Sequence, residues 1–323
     1  MLKKLLLLSL LISANCLASE EEQSLAPIDE TMIVHPDPAD DWLFGFHNSI
    51  SDSVFGSAKW FDSFFAIDEE EETTPNTLAR IRLGYEPRAR DWQVFTQKFR
   101  LRVKLPNLEN KVDIIFSDED DDNNSEEQNN SGRALTGDQN DDSFTAAIRL
   151  INLDTIDDFV DSRIGISGGD LFAKVRAKIQ TDNSDRHLFK FQPSIFYYLD
   201  DGFGSRLFFE YDFNFAEKKQ FRANFSVKTS EAFEGTRWRN GYYYLHQLDR
   251  FRASALGVVI AGEDDGDRGF VVDNYTLSWR YRVNAYRRWL YFEVEPFVEW
   301  PEDVNYKTTP GIALRVEGYF QAN

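Results

Sequence analysis

Large apolar and charged side chains alternate residue by residue over long segments of this chain. In SRLFFEYDFNF, residues 205–215, one side of an extended chain carries Leu207, Phe209, Tyr211, Phe213 and Phe215, and the other carries Arg206, Glu210, Asp212 and Asn214. Successive side chains of a β-strand point to opposite faces, so a period of two predicts a strand. The alternation therefore predicts strands with one apolar face and one ionic face.

The same alternation recurs from about residue 78 to residue 320. Regular segments fall at 78–86, 95–105, 171–180, 205–215, 221–228 and 274–283, and less regular ones near 110–118, 143–152, 160–168, 187–199, 234–246, 251–261, 288–299 and 310–320. A soluble sandwich or lipocalin-like barrel would have to bury the apolar faces of about a dozen strands in one interior, whereas a barrel of that size encloses water. We therefore predict an all-β fold in which apolar faces meet lipid and ionic faces line a wet lumen. This is a closed antiparallel transmembrane β-barrel of about 14 strands, with 12 as the alternative if residues 162–170 pair poorly.

Connection lengths agree with this interpretation. An even strand number puts both ends of the barrel segment on one side, which we expect to be the periplasm. The loops predicted on the other side at 118–142, 263–269 and 301–310 are long or strongly polar, as exterior loops of such barrels are. The periplasmic turns are predicted to be short, except the one at 152–162.

The first 18 residues predict export. Lys3 and Lys4 precede an apolar run, and small residues follow it, which is typical of a signal peptide, residues 1–18, cut after Ala18 or alternatively after Ser19. The one cysteine, Cys16, would leave with it. We expect the mature chain to lie in the outer membrane of a Gram-negative envelope, with residues 76–323 as the barrel.

Two segments separate the signal from the barrel. Residues 19–40 are acidic and contain proline, which favours an unfolded lead-in. Residues 41–75 are predicted to hold an amphipathic helix followed by an acidic linker, because apolar residues recur there at helical spacing: Phe46, Ile50, Val54, Ala58, Phe61 and Phe65. The helix could pack on the barrel's periplasmic rim, enter the lumen as a plug, or lie on the membrane surface.

Three blocks carry a resemblance to a known group of proteins. They are AKWFDSFF followed by ARIRLGYEP, then FRLRVKLPNLENKVDIIFSDED, and finally WLYFEVEPFVEWP with TPGIALRVEGYF. Together they resemble a group of uncharacterised proteobacterial outer-membrane barrel proteins in which a helix precedes the barrel. The resemblance implies location and architecture but no activity. The last strand also resembles the C-terminal signal that barrel-assembly machinery recognises, with Phe320 as its aromatic residue.

The charges predicted to face the lumen are unevenly distributed. The early strands are basic at Arg80, Arg82, Lys98, Arg100, Arg102, Lys104, Lys174, Arg176 and Lys178, and later strands are acidic at Glu210, Asp212, Glu293, Glu295 and Glu317. Opposite charges could simply pair within a narrow lumen. Alternatively, the basic wall could favour anions, as rings of Arg and Lys do in anion pores. We expect a narrow or plugged porin-like pore, with support of envelope structure or export as a related role.

Other partners follow from charge. The formal net charge of −19 argues against a nucleic-acid partner. The acidic loop 118–142 lacks the spacing of an EF-hand, yet divalent cations could bridge its carboxylates to lipopolysaccharide. We predict no cofactor and no dedicated metal site.

The alternative function is a membrane-embedded lipid hydrolase or acyltransferase. Such an enzyme needs a nucleophile beside a base at the membrane rim. His187 and His246 lie near predicted strand ends, and Ser194 is on the His187 strand, seven residues away and beyond hydrogen-bond reach. No HExxH motif is present, and we predict no catalytic residue.

Overall fold

Fourteen strands account for almost all of the described residues. The computed structural model describes residues 64, 77–105, 111–118, 144–154, 158–184, 186–264, 266, 268–287 and 289–322. The strands are β1 (Thr77–Tyr85), β2 (Phe95–Lys104), β3 (Val112–Ser117), β4 (Thr145–Asp154), β5 (Asp158–Ser167), β6 (Asp170–Ser184), β7 (His187–Tyr198), β8 (Gly202–Ala216), β9 (Lys219–Ser230), β10 (Phe233–Asp249), β11 (Arg252–Asp264), β12 (Phe270–Asn284), β13 (Leu290–Pro301) and β14 (Thr309–Ala322). A 3-10 turn, Glu302–Val304, joins β13 to β14.

The strands close into an antiparallel barrel. Each strand pairs with its neighbours in sequence, and β1 pairs with β14 from Thr77↔Ala322 to Tyr85↔Leu314. Closure leaves no edge strand. We call the end where β1 begins and β14 finishes the terminal end, and the opposite end the loop end.

The two faces of the wall differ as the alternation predicts. Outward side chains are large and apolar, with Leu83, Ile164 and Ile195 more than half exposed. Inward side chains are mostly ionic or polar and are buried. On β8 the inward residues include Arg206, Glu210, Asp212 and Asn214, and Phe208 is an apolar exception at 0% exposed.

The structure confirms the closed barrel and its strand number of 14. Of residues 162–170, on which the alternative of 12 depended, 162–167 pair with both β4 and β6, and Gly168 and Gly169 form the turn to β6. The long turn predicted at 152–162 is wrong, because β4 continues to Asp154 and β5 begins at Asp158. A register shift between Ile151 and Leu153 accommodates the polar residues that had suggested a turn.

Most of the predicted segment before the barrel lies outside the described residues. This applies to the signal, the acidic lead-in, the linker and the helix positions Phe46, Ile50, Val54, Ala58, Phe61 and Phe65. The exception is Phe64, which is helical. In the part of the chain that the structure describes, no helix is long and apolar enough to cross a bilayer.

Candidate functional site

The lumen carries an excess of positive charge. Among the described residues, sixteen buried Lys and Arg side chains accompany nine buried Asp and Glu side chains, an excess of seven positive charges. The whole chain has a formal charge of −19. The acidic character of the chain is therefore not shared by the barrel interior.

One ion-pair cluster lies at the seam between β1 and β14. Glu317 accepts hydrogen bonds from Arg82 Nη2 at 3.1 Å and from Arg282 Nη1 at 2.6 Å. In the same cluster, Arg315 Nη1 donates to Glu293 at 2.5 Å and to Glu295 at 2.6 Å. The seam is thus held by side chains as well as by backbone pairing.

A second cluster spans β2 to β6, where four arginines share two aspartates. Asp113 pairs with Arg102 at 3.0 Å and with Arg149 at 3.2 Å. Asp161 pairs with Arg163 and Arg176, each at 3.1 Å. This cluster has more cations than carboxylates, so it contributes to the positive excess.

A third, balanced cluster lies on β7, β8 and β9. Lys190 Nζ lies 3.2 Å from Glu210, and Arg222 Nε donates to Asp212 at 2.6 Å. Opposite charges therefore do pair inside the barrel. Pairing is not the whole arrangement, however, since several direct cross-strand neighbours carry the same sign: Arg80↔Arg100, Arg82↔Lys98, Arg163↔Lys174 and Arg206↔Lys228.

The residues predicted to line the lumen all occupy inward positions of their strands. Lys98 and Lys178 are half-buried. The others are buried, namely Arg80, Arg82, Arg100, Arg102, Lys104, Lys174, Arg176, Glu210, Asp212, Glu293, Glu295 and Glu317. The prediction missed Arg149, Asp161 and Arg163, which lie on segments of weaker alternation. Thr145, Ala147 and Arg149 do alternate with apolar residues, and that signal could have found them.

The prediction also missed Phe64, which lies among inward-facing residues near the terminal end. Its side chain is 1% exposed and clusters with Leu78, Tyr243, Leu245, Ala253, Ala255, Val259, Tyr291 and Tyr319. The Phe64 and Tyr291 rings meet edge to face, with centroids 5.8 Å apart. Ala253 and Ala255 leave room for the Phe64 ring, so we call this set the apolar recess.

The geometry separates His187 from Ser194, the pair considered for catalysis on β7. His187 faces outward, where its Nδ1 lies 2.8 Å from the Tyr211 hydroxyl and its ring stacks on Phe213. Ser194 faces inward and is buried. The two side chains lie on opposite faces of β7 and cannot act as a nucleophile and base.

The loop end has a small group of charges outside the apolar belt. About nine to eleven residues suffice for a strand to cross a bilayer, so the first residues of β12, which has 15, project beyond it. There, desolvation and the nearby Glu263 and Glu302 carboxylates raise the pKa of Asp273 to about 6. No group of three or more His, Cys, Asp or Glu residues among those described could hold a metal ion.

Comparison with known proteins finds likeness in fold only. No family model matches the chain, and no curated protein matches it. Similar solved structures include an anion-selective porin from Comamonas acidovorans (7% identity, TM-score 0.49, 76% of this chain and 99% of that chain). OprB of Pseudomonas putida is also similar (10% identity, TM-score 0.47, 76% of this chain and 93% of that chain). The outer-membrane channel DcaP of Acinetobacter baumannii is similar too (9% identity, TM-score 0.44, 76% of this chain and 96% of that chain). At these values the barrel and its lumen rest on the chain's own strand pairing and burial.

Proposed function

We propose that this chain is an outer-membrane barrel that conducts small anions through a narrow, ion-lined lumen. The excess of seven positive charges among the buried residues of an acidic chain is the observation that carries the proposal. Fixed cations along a confined path lower the energy of an anion there and raise that of a cation. The ion pairs shape the path and hold the long side chains in place.

Placement in the outer membrane is supported by the outward face of the barrel. A continuous band of exposed apolar side chains, such as Leu83, Ile164 and Leu277, has no covering layer among the described residues. Large exposed apolar surface marks contact with membrane or partner. The signal predicted at residues 1–18 agrees with export, and the acidic loops would then face the cell exterior.

We further propose that the segment before β1 narrows the terminal end of the lumen. The burial of Phe64 in the apolar recess supports this, because a residue from outside the strands fills space along the path. Replacing Phe64 with Ala should raise conductance. Phe209→Ala, which removes an outward-facing ring from the wall, is the matched control and should leave conductance unchanged.

Planar-bilayer recording tests the pore directly. We expect the full chain to show small currents whose reversal potential in a salt gradient favours chloride over potassium. A chain lacking residues 41–66 should show larger currents with the same preference. A preference for cations would refute the proposal, and no current from either chain would favour a role in envelope structure instead.

Two interactions are proposed alongside the pore. Barrel-assembly machinery would recognise β14, where Phe320 faces outward against Trp289 with ring centroids 5.0 Å apart. Divalent cations would link loop 118–142, of which only Asp118 is described, to lipopolysaccharide. Lipid-modifying activity is the competing function, and fatty-acid release by the purified barrel would support it.

A further inference from the structure

Six inward positions on β8, β9 and β10 form a compact patch in the loop-end half of the lumen. Arg206, Lys228 and Arg237 are direct cross-strand neighbours in one row, and Phe208, Ser226 and Arg239 are neighbours in the next. Direct neighbours on one face lie about 5 Å apart, and diagonal ones about 7 to 8 Å. Four cations and one hydroxyl therefore share one area of the wall with the fully buried Phe208 ring, and the Arg237 guanidinium lies over the Phe233 ring, 4.4 Å from its centroid. We call these six residues the basic patch.

The row of cations is unusual for a sheet. Like charges placed directly opposite each other on neighbouring strands destabilise the pairing. Here Lys228 has a cation on each side, Arg206 on β8 and Arg237 on β10. None of the six positions of the basic patch carries a carboxylate, but Glu263 on β11 is the cross-strand neighbour of Arg237, so one carboxylate borders the patch at that position. An arrangement that costs stability and concentrates one sign of charge suits the binding of the opposite sign.

The buried side chain of Arg239 independently indicates an anion site. Its side chain faces the lumen and is only 5% exposed, and its Nε has no hydrogen-bond partner among the described residues. A buried guanidinium is costly unless its donors are satisfied. Arginine offers a planar fork of donors that matches a carboxylate. The hydroxyl of Ser226, directly across from Arg239, can add a further hydrogen bond.

The surroundings of the basic patch indicate what the anion carries. Phe208 is 0% exposed and lies beside Ser226, and Ala261 faces Arg239 from β11. Lys228 Nζ lies 5.4 Å from the centroid of the Phe196 ring. This ring occupies the space that a side chain at Gly204 would take. These groups provide apolar contact for a hydrocarbon or ring next to the cations.

We propose that the basic patch binds the carboxylate of a small organic anion, with Arg239 as the fork and Phe208 as the apolar wall. The inference deepens the proposed anion pore by naming a binding site and a ligand class. Binding at equilibrium does not depend on conduction, so the two ideas can fail separately.

Isothermal titration of the full chain in detergent micelles tests the site, with benzoate, acetate, inorganic phosphate and benzyl alcohol as probes. We expect benzoate to bind, acetate and phosphate to bind more weakly, and benzyl alcohol not to bind. Arg239→Gln should weaken benzoate at least tenfold, since a hydrogen bond to a charged group is lost. Arg239→Lys keeps the charge but not the fork of donors, and its affinity for benzoate should lie between those of the wild type and Arg239→Gln. The exposed Arg252→Gln, at the terminal end, is the control and should bind normally.

Phe208→Ala separates an organic anion from an inorganic one. It should weaken benzoate but leave phosphate unchanged. Circular dichroism and heat-modified mobility on gels establish that each variant is folded, and Arg239→Lys or Lys228→Gln replaces Arg239→Gln if the latter does not fold. Equal affinity of wild type and the Arg239 variants for benzoate would overturn the proposal, as would benzoate binding no tighter than phosphate. If Arg239→Gln loses benzoate binding but the wild-type barrel prefers cations in planar bilayers, the binding site is retained and only the proposed anion pore is refuted.

Discussion

Replacing Glu317 with Gln should destabilise the barrel more than any single change to an exposed charge. Glu317 is buried at the β1–β14 seam, where it accepts hydrogen bonds from Arg82 and Arg282. Arg80 Nε lies 3.8 Å from the same carboxylate. The substitution keeps the shape of the side chain but removes the one negative charge that these three guanidinium groups share.

The size of the effect follows from two estimates. Removing one partner of a buried ion pair costs about 3 to 5 kcal/mol, because the other charge stays buried without compensation. Counting two charge-assisted hydrogen bonds at about 1.5 to 3 kcal/mol each leads to a similar range. Glutamine retains one oxygen acceptor, so we expect the lower end, about 3 kcal/mol.

Urea unfolding of the barrel in lipid vesicles, followed by tryptophan fluorescence, measures this change. The matched control is Glu263→Gln, whose pair with Arg268 at 2.9 Å is at the loop end with side chains 32% and 49% exposed. Exposed pairs contribute about 0 to 1 kcal/mol. If Glu317→Gln costs no more than Glu263→Gln, the seam cluster does not stabilise closure and our reasoning about it is wrong.

Three further predictions concern the wall and the loop end. Gly165→Ala should cost about 1 to 3 kcal/mol in the same unfolding assay, because a Cβ there would lie 2.3 Å from the Ala146 carbonyl oxygen; an unchanged midpoint would show that β4 and β5 can separate freely. Phe191→Arg, on the outward face near the middle of β7, should cost about 2 to 4 kcal/mol in lipid, and Leu199→Arg, in the loop beyond, about 0 to 1; equal costs would contradict the membrane placement. The folded-state pKa of Asp273 is raised, so the Asp273 carboxyl holds its proton more tightly in the folded barrel than in the unfolded chain. The stability that this protonation contributes is therefore present below pH about 4 and is lost as the pH rises through about 6. Unfolding midpoints measured across that range should show a loss that Asp273→Asn removes, and an identical pH profile would refute the assignment.

The alternation along the chain was sufficient to predict the fold and the direction of most side chains. On β8 it assigned both faces. The alternation failed at 152–162. There β4 and β5 extend through polar residues, beyond the point at which the alternation stops. A strand that extends beyond the apolar belt no longer needs an apolar face, so its sequence resembles a turn.

The partners of the lumen charges could not be predicted in the same way. Whether Arg149 meets Asp113 or another carboxylate depends on the registers of β3 and β4, and a shift by two residues preserves the alternation while changing every pair. Phe64 shows a related limit. Helical spacing predicted Phe61 and Phe65 on the apolar face, and both lie outside the described residues. It did not predict Phe64, whose place in the recess depends on residues far away in sequence.

The hydrogen bond between Arg82 and Glu317 joins positions 235 residues apart. Contacts so distant in sequence form late in folding, since the intervening chain must first be ordered. Until β14 has been synthesised and has reached β1, the first strand presents an open edge to other chains. A truncated chain that lacks β14 therefore has two unpaired edge strands, and β1 is paired on both sides only when β14 is present.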